Sequence, residues 1–149
     1  MRVINRDVVG TFIFSSDNKI LLGQSIKGGA YEGSWCVPGG GIEPGETALQ
    51  AAIRETKEEV GVDISSFDIQ LDNYPSFGET EKNLRDTGER VIVKMKFLNY
   101  IVTANKKAAD IPASGTDDFA SAVWHNVTDL PNLTISPAME ELLLRLGYM

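Results

Sequence analysis

Three glutamates near the middle of the chain are spaced so that their side chains could act together. Glu55, Glu58 and Glu59 are separated by three and four positions, and a helix that turns about 100° per residue places all three on one face. Like charges at this spacing destabilise an isolated helix by roughly 0.2–0.5 kcal/mol per pair. Divalent cations such as Mg²⁺ take oxygen ligands and leave positions open for water and phosphate. The three carboxylates, predicted to converge, therefore indicate a cation site.

The segment that carries these glutamates has the start and stop signals of a helix. Thr47 followed by Gln50 fits a capping box, and Gly61 supplies the expected C-terminal stop. Between them, residues able to pack recur at helical spacing: Leu49, Ala52, Ile53, Thr56 and Val60. We therefore predict a helix over Thr47–Gly61.

A run of glutamates is also typical of a helix face that is simply exposed to solvent. The run alone does not decide between a cation site and such an exposed face. The surrounding positions add a fixed array that favours chemistry. Its members are Gly40, Glu46, Arg54, Glu55, Glu58, Glu59 and Gly61, followed by the apolar Val62.

This array resembles the Nudix box. The segment GGIEPGETALQAAIRETKEEVGV, residues 40–62, has a glycine, five residues, a glutamate, seven residues and then Arg-Glu-apolar-x-Glu-Glu-x-Gly-apolar. Thr56 is the one departure, since the family usually has an aliphatic residue there; a threonine hydroxyl can bond back to the helix. The resemblance extends to Trp35–Gly40 before the box and to Trp124 in a late strand.

The resemblance implies a fold, a reaction and a cofactor. The fold is the Nudix-type α/β/α sandwich, in which a mixed β-sheet lies between helices, of the α/β or α+β class. The reaction is hydrolysis of a nucleoside diphosphate linked to another group, such as a nucleoside triphosphate or a nucleotide sugar, with release of a nucleoside monophosphate. The cofactor is Mg²⁺ or Mn²⁺.

The resemblance also assigns roles to individual residues. It implies that Glu58 and Glu59 coordinate the metal, and that Glu55 either coordinates it or acts as general base. The Gly39 carbonyl is a further metal contact. Arg54 orients the glutamates, and Glu46 pairs with Arg54; Glu46 would also interact favourably with the helix N-terminus.

A catalytic base in this family sometimes lies outside the box, on a loop. Asp118, six residues before Trp124, is our candidate, although an acid on a loop is often only solvated. Four further acids are weaker candidates: Asp117, Glu79, Glu81 and Glu89.

Two other reactive residue types have simpler explanations. Cys36 has no histidine near it in the sequence and is interpreted as a strand residue, not a nucleophile. His125, the single histidine, is interpreted as a surface or packing residue.

Size and charge restrict the partners. A chain of 149 residues is the size of one domain, and we expect a single domain over residues 1–149. Asp and Glu number 21 against 14 Lys and Arg, for a net charge of -7, which disfavours long nucleic acid as a partner. The negative net charge still permits a small phosphate ligand if bound cations make the electrostatic potential positive at the site.

One cysteine excludes an intrachain disulfide, and neither a signal peptide nor a membrane-spanning apolar stretch is visible. We therefore expect a cytoplasmic protein with no membrane partner. A homodimer is left open.

Apolar periodicity and turn residues predict the remaining elements. The predicted strands are Val8–Phe14 and Ile20–Leu22 as a hairpin, Trp35–Val37, Ile69–Leu71, Val91–Tyr100 and Ala120–His125. A second helix is predicted over Ser136–Leu146, with Pro137 in its first turn. Residues 28–34, 74–90 and 104–118 are predicted to be loops.

The sequence leaves the substrate undecided. Possible phosphate contacts are Lys27, Arg85, Arg90, Lys94 and Lys96, and possible base-stacking residues are Tyr31, Tyr74, Phe77 and Phe119. A nucleotide-sensing domain without catalysis is the alternative from another functional class. An RNA-cap hydrolase is a further alternative, which the acidic balance disfavours.

Overall fold

A computed structural model describes residues 1–25, 33–115 and 119–149. The strands in these ranges are β1 (Arg2–Phe14), β2 (Lys19–Ser25), β3 (Trp35–Cys36), β4 (Gly39–Gly41), β5 (Asp68–Leu71), β6 (Ser76–Asn83), β7 (Arg90–Thr103) and β8 (Phe119–Asn126). The α-helices are α1 (Ala48–Val60) and α2 (Pro137–Arg145), and short 3-10 helices span Ala108–Asp110 and Val127–Asn132. No helix in these ranges is both long enough and apolar enough to cross a membrane.

The strands form a mixed sheet built around β1 and β7. These two strands run parallel, with Arg2 opposite Val91 at one end and Phe14 opposite Thr103 at the other. β5 and β6 pair with β7 in antiparallel fashion, β4 pairs with β1, and β2 pairs with β1, β3 and β8. A mixed sheet is what the sequence analysis predicted.

The alternation of side chains along β1 shows how the helices lie on the sheet. Phe12 and Phe14 pack in one apolar cluster with Leu142 of α2, whereas Ile13 packs in another with Val60 at the end of α1. Because successive strand residues point to opposite faces, the two helices cover opposite sides of the sheet. The predicted α/β/α sandwich, of α+β class, is therefore confirmed.

Helix α1 has the predicted ends. The Gln50 N–H donates to Thr47 Oγ1 at 3.1 Å, and the Thr47 N–H donates to Gln50 Oε1 at 2.9 Å, so both bonds of the capping box are present. Gly61 ends the helix with φ of 72°, a left-handed conformation that glycine adopts without the steric cost of a Cβ.

The prediction of a loop over residues 74–90 is wrong. Ser76–Asn83 forms β6, which pairs with β7 from Ser76 opposite Phe97 to Asn83 opposite Arg90. Most of β6 is exposed, so its polar side chains do not produce an apolar alternation. Backbone pairing with β7 makes it a strand, and sequence patterning does not reveal such pairing.

The other element boundaries differ more modestly. The hairpin is present at Phe14 opposite Ile20, but β1 begins at Arg2 because its polar first half pairs with β7. The predicted loop over 104–118 contains a 3-10 turn, and its residues 116–118 lie outside the described ranges, as do residues 28–32 of the first predicted loop. The second helix spans Pro137–Arg145, within the predicted range.

Candidate active site

The glycines of β4 bring the backbone against the glutamate face of α1. The Gly39 N–H donates to Glu59 Oε1 at 2.8 Å, and Glu59 is 8% exposed. A Cβ at Gly39 would collide with the Val9 carbonyl oxygen, and a Cβ at Gly40 would lie 2.5 Å from Glu55 Cδ. These close approaches explain why side chains are absent at both positions.

Arg54 lies at the centre of the acidic groups. Its Nε and Nη2 donate to the two carboxylate oxygens of Glu46 at 2.7 and 2.9 Å. Its Nη1 donates to Glu55 Oε1 at 2.9 Å and to Glu58 Oε2 at 3.3 Å. Nη2 also donates to the Gly41 carbonyl at 3.1 Å. The predicted Glu46–Arg54 pair is therefore present, and it is bidentate, the geometry that fixes a guanidinium most firmly.

These contacts shift the pKa values of two carboxyl groups in opposite directions. Hydrogen bonds from Arg54 lower the pKa of Glu46 to about 2. Burial raises the pKa of Glu55, and the Arg54 guanidinium opposes that rise. Because Glu46 is fully ionised near neutral pH, it holds Arg54 in place as a fixed anion.

The three box glutamates share a helix face but differ in surroundings. The Glu58 side chain is 60% exposed, the Glu55 side chain is 17% exposed and held by Arg54, and Glu59 is turned toward Gly39. Within the described ranges, no three His, Cys, Asp or Glu side chains form a ready metal-binding group. The carboxylates are held by different donors, because Arg54 Nη1 donates to Glu55 and Glu58 whereas the Gly39 N–H donates to Glu59.

The residues present nevertheless fit a hard divalent cation. The donors are carboxylate oxygens on successive turns of one helix, which is the ligand type that Mg²⁺ and Mn²⁺ prefer. The side-chain-free stretch Gly39–Gly41 borders the same space.

Thr56, the departure from the family pattern, is completely buried. Its hydroxyl donates to the Ala52 carbonyl at 2.7 Å, as the sequence analysis expected. Because that proton is committed to Ala52, Thr11 Oγ1 is the donor to Thr56 Oγ1 at 2.6 Å. The Pro38 carbonyl accepts from the Thr11 N–H at 2.9 Å and lies 3.1 Å from Thr11 Oγ1. Thr11 thus connects α1 to the residue that precedes Gly39.

A cavity of about 500 Å³ opens beside the glutamates. Glu55, Glu59 and Gly39–Gly41 line one part of it. The rest is lined by Val8, Val9, Gly10, Cys36, Val37, Met95, Phe97, Asn99, Ser136, Ala138 and Met139. Its volume falls in the range of small-molecule sites.

Of the acids proposed outside the box, those that the structure describes do not line this cavity. Asp118, the candidate base, lies outside the described residues, as does Asp117. Glu81 pairs with Arg90 and Glu89 pairs with Arg2 on the exposed part of the sheet. Glu79 is an exposed residue of β6.

Cys36 and His125 match their structural interpretations. Burial, with a smaller contribution from the Glu59 charge, raises the pKa of the Cys36 thiol to about 12, which makes it a poor nucleophile. The His125 ring contacts the Trp35 ring edge-on, with centroids 4.4 Å apart. Both residues contribute to packing.

Of the residues proposed for substrate contact, those that the structure describes do not line the cavity. Lys27, Tyr31 and the Phe119 side chain lie outside the described part of the structure. Tyr74 and Phe77 are 65% and 71% exposed, and Arg145 lies over the Tyr74 ring at 5.0 Å. Neither aromatic residue lines the cavity.

Asn99 lines the cavity and Ser76 is bonded to it, and the sequence analysis named neither as a site residue. Asn99 is 3% exposed and Ser76 is 2% exposed. The Asn99 Nδ2 donates to Ser76 Oγ at 3.1 Å. The signal in the sequence was an asparagine, Asn99, within an otherwise largely apolar predicted strand. Its partner Ser76 belongs to β6, which the sequence analysis predicted to be a loop.

Comparison with known proteins identifies the family. A profile of the NUDIX domain matches residues 4–146. An RNA pyrophosphohydrolase of Wolbachia pipientis is 31% identical over 127 residues, which cover 84% of this chain and 76% of that protein.

Two solved structures show the same fold. A MutT structure, from a study of the Aliivibrio salmonicida and Vibrio cholerae proteins, superposes with a TM-score of 0.66 at 23% identity and covers 95% of each chain. The NUDIX domain of Shewanella oneidensis NrtR, solved with ADP-ribose, superposes with a TM-score of 0.65 at 17% identity, covering 96% of this chain and 86% of that one. The box, the sheet and the near-complete profile match together establish that this chain belongs to the Nudix family.

Proposed function

We propose that this chain is a divalent-metal-dependent pyrophosphohydrolase acting on a nucleoside diphosphate linked to another group, such as a nucleoside triphosphate or a nucleotide sugar. The observation that carries the proposal is the Arg54 network: one guanidinium holds Glu46, Glu55 and Glu58 beside a cavity that Glu59 also lines. A solvated helix face would not need a largely buried arginine to order its acids.

The metal ligands in this proposal are Glu58 and Glu59, with the Gly39 carbonyl as a further contact. Glu55 is either the third carboxylate ligand or the general base, and Asp118 is the alternative base. When bound, Mg²⁺ or Mn²⁺ would offset phosphate charge and lower the pKa of a coordinated water.

The chain's own residues position this chemistry. Glu46 holds Arg54 in one orientation, and Arg54 in turn orients Glu55 and Glu58. The raised pKa of Glu55 strengthens that carboxylate as a proton acceptor, because proton transfer is more favourable to a base of higher pKa. The Glu55 carboxylate packs closely against the backbone of Gly40, and this contact fixes its position.

The test is release of phosphate or pyrophosphate from a panel of nucleoside triphosphates, nucleotide sugars and dinucleoside polyphosphates, with and without Mg²⁺. Wild-type turnover should require the metal, and Glu58→Gln and Glu59→Gln should each reduce it by at least about a hundredfold. Glu140→Gln, which changes an exposed glutamate of α2, is the matched control. Undiminished turnover in both box variants would overturn the proposal.

Glu55→Gln and Asp118→Asn separate the two candidate bases. Loss of the acidic limb of the pH–rate profile in only one of them would identify the proton acceptor. Tight nucleotide binding without turnover of any substrate would instead favour the non-catalytic nucleotide-sensing domain.

A second candidate is hydrolysis of a pyrophosphate bond on RNA. It is favoured by the Wolbachia pipientis relative, which is named an RNA pyrophosphohydrolase. The net charge of -7 opposes it, since RNA binding ordinarily needs a basic surface. An RNA oligonucleotide with a 5′-triphosphate, added to the same panel beside the free nucleoside triphosphate, distinguishes the two.

A further inference from the structure

We infer that His125 makes the shape of the cavity sensitive to acid, because protonation of its ring would displace Trp35 and, with it, the start of α2. Trp35 is bound through its backbone to residues 134–136, which lead into α2. The start of α2 contributes lining residues to the cavity. This coupling concerns one wall of the cavity and does not depend on the reaction that takes place there.

The described surroundings of the His125 ring provide no acceptor for a second N–H. His125 lies in β8 opposite Ile20 of β2, whose side chain belongs to the buried apolar cluster that includes α2. The His125 Nε2 is buried and has no hydrogen-bond partner among the described residues. A protonated imidazole carries an N–H on both ring nitrogens. Because a buried donor without an acceptor is unfavourable, the protonated ring would turn or shift until this N–H reaches water or an acceptor.

Lys19 and Asp129 are the charged residues of the strand and the 3-10 helix that adjoin His125. Lys19 precedes Ile20 in β2 and points to the other face of the sheet, since side chains alternate along a strand. The Asp129 charge favours protonation, but burial opposes it more strongly and lowers the His125 pKa. β3 and the rest of β8 contain no charged residue, and the α2 side chains in this layer are apolar. Acid therefore charges the ring in mostly apolar surroundings.

Trp35 connects the His125 ring to the start of α2. The two rings meet edge-on, with centroids 4.4 Å apart, and in a close-packed interior one ring cannot shift without moving the other. The Trp35 N–H donates to the Thr134 carbonyl at 2.9 Å, and its carbonyl accepts from the Ser136 N–H at 3.1 Å. The Ser136 carbonyl in turn accepts from the Met139 N–H at 3.2 Å. A displacement of Trp35 is therefore transmitted to the first turn of α2.

The two ends of α2 have different contacts. Near the C-terminal end, Arg145 Nη1 and Nη2 donate to the two Asp72 carboxylate oxygens at 3.1 and 2.6 Å. The residues that α2 and its N-cap contribute to the cavity lining all lie at the other end: Ser136, Ala138 and Met139. A displacement that enters at Ser136 thus changes the cavity wall while the Arg145 end stays anchored.

An NMR titration of the wild type from about pH 7.5 to about pH 5 tests the coupling. His125 is the single histidine, so its ring protons report its own protonation without ambiguity. The Trp35 indole N–H and the Met139 methyl group should titrate with the same midpoint as the His125 ring, below pH 6.5. The Met95 methyl group is the internal control, because Met95 lines the cavity from β7, which does not pair with β3.

Three results of this titration would overturn the coupling. One is a Met139 signal that stays constant over the range, and another is a Met139 midpoint that differs from that of the His125 ring. The third is an equal response of Met139 and Met95, which would indicate a general change of the protein. All of these signals are read without substrate, so they are independent of the proposed pyrophosphohydrolase activity.

Two variants identify the group that drives the Met139 response. His125→Phe keeps a ring against Trp35 and should abolish the response. Glu55→Gln removes a carboxyl group that lines the cavity and whose pKa burial raises, and it should leave the response unchanged. A response that persists in His125→Phe and disappears in Glu55→Gln would assign it to Glu55 and contradict the coupling. If His125→Phe does not fold, the wild-type midpoints decide.

Discussion

The hydroxyl oxygens of Thr11 and Thr56 lie 2.6 Å apart in the buried layer between β1 and α1. Both residues are completely buried. Thr56 donates to Ala52 within the helix, so the Thr11 hydroxyl donates to Thr56, and the Thr11 backbone N–H donates to the carbonyl of Pro38, next to Gly39. This polar contact occupies a position that the family usually fills with an aliphatic side chain, and it links the helix of the glutamates to the residue before β4, the strand whose Gly39 contacts Glu59.

The Thr11–Thr56 contact should couple the two residues energetically. Thr11→Val and Thr56→Val should each lower the free energy of unfolding by about 1 kcal/mol, because each removes a buried hydrogen bond. The double variant should lose at least about 0.5 kcal/mol less than the sum of the single losses. A double-mutant cycle by urea denaturation measures this, and strictly additive losses would contradict the coupling.

Gly40 and Gly41 should respond differently to alanine. A Cβ at Gly40 would lie 2.5 Å from Glu55 Cδ, whereas a Cβ at Gly41 meets nothing within 4 Å. Gly40→Ala should displace the Glu55 carboxylate and, since we propose a catalytic role for Glu55, reduce kcat/KM by roughly tenfold or more. Gly41→Ala should retain activity. Kinetics and melting temperatures of both variants test this, and similar activity losses in the two would argue against the steric explanation.

The Arg54–Glu46 pair should respond to acid in a defined direction. The pKa of Glu46 is about 2 instead of 4.5 because Arg54 donates to its carboxylate. A carboxyl group whose pKa is lower in the folded protein than in the unfolded chain stabilises the folded state at pH values above the unfolded-chain pKa. This stabilisation is lost as the pH falls from about 4.5 toward 2. NMR titration of the Glu46 carboxyl carbon should show the low pKa in the wild type and a value nearer 4.5 in Arg54→Gln. An unchanged titration would show that Arg54 is not the cause.

His125 should make the fold sensitive to mild acid. Burial lowers its pKa from the ordinary 6.5, although the charge of Asp129 acts in the opposite direction. Its Nε2 is buried and has no hydrogen-bond partner among the described residues. The folded state therefore resists protonation of His125, so stability should be complete above about pH 6.5 and should fall as the pH drops below it.

The matched variant for this effect is His125→Phe, which retains a ring against Trp35. Unfolding free energies of the wild type and the variant are compared between pH 7.5 and pH 5 (roughly one to two units on either side of the unperturbed value). As the pH falls, the wild type should lose more unfolding free energy than His125→Phe does. A constant difference would exclude His125 as the source.

The sequence by itself determined the features that depend on neighbours a few residues apart. The Thr47–Gln50 capping box, the stop at Gly61 and the common face of Glu55, Glu58 and Glu59 follow from spacings of three to four residues. The box resemblance named the family for the same reason, since its positions lie within 23 consecutive residues. The bond from Thr56 to Ala52 is likewise local.

Only the tertiary structure decided how these local features meet the rest of the chain. The strand β6 exists because its backbone pairs with β7, although its exposed polar side chains give no apolar alternation. The pairing of Asn99 with Ser76 and of Thr11 with Thr56 spans 23 and 45 positions. Such contacts depend on strand register and on which helix covers which face. The common face of the three glutamates is a property of helix α1 alone. The position of the Glu59 carboxylate also depends on the N–H of Gly39, which lies in a separate strand, β4.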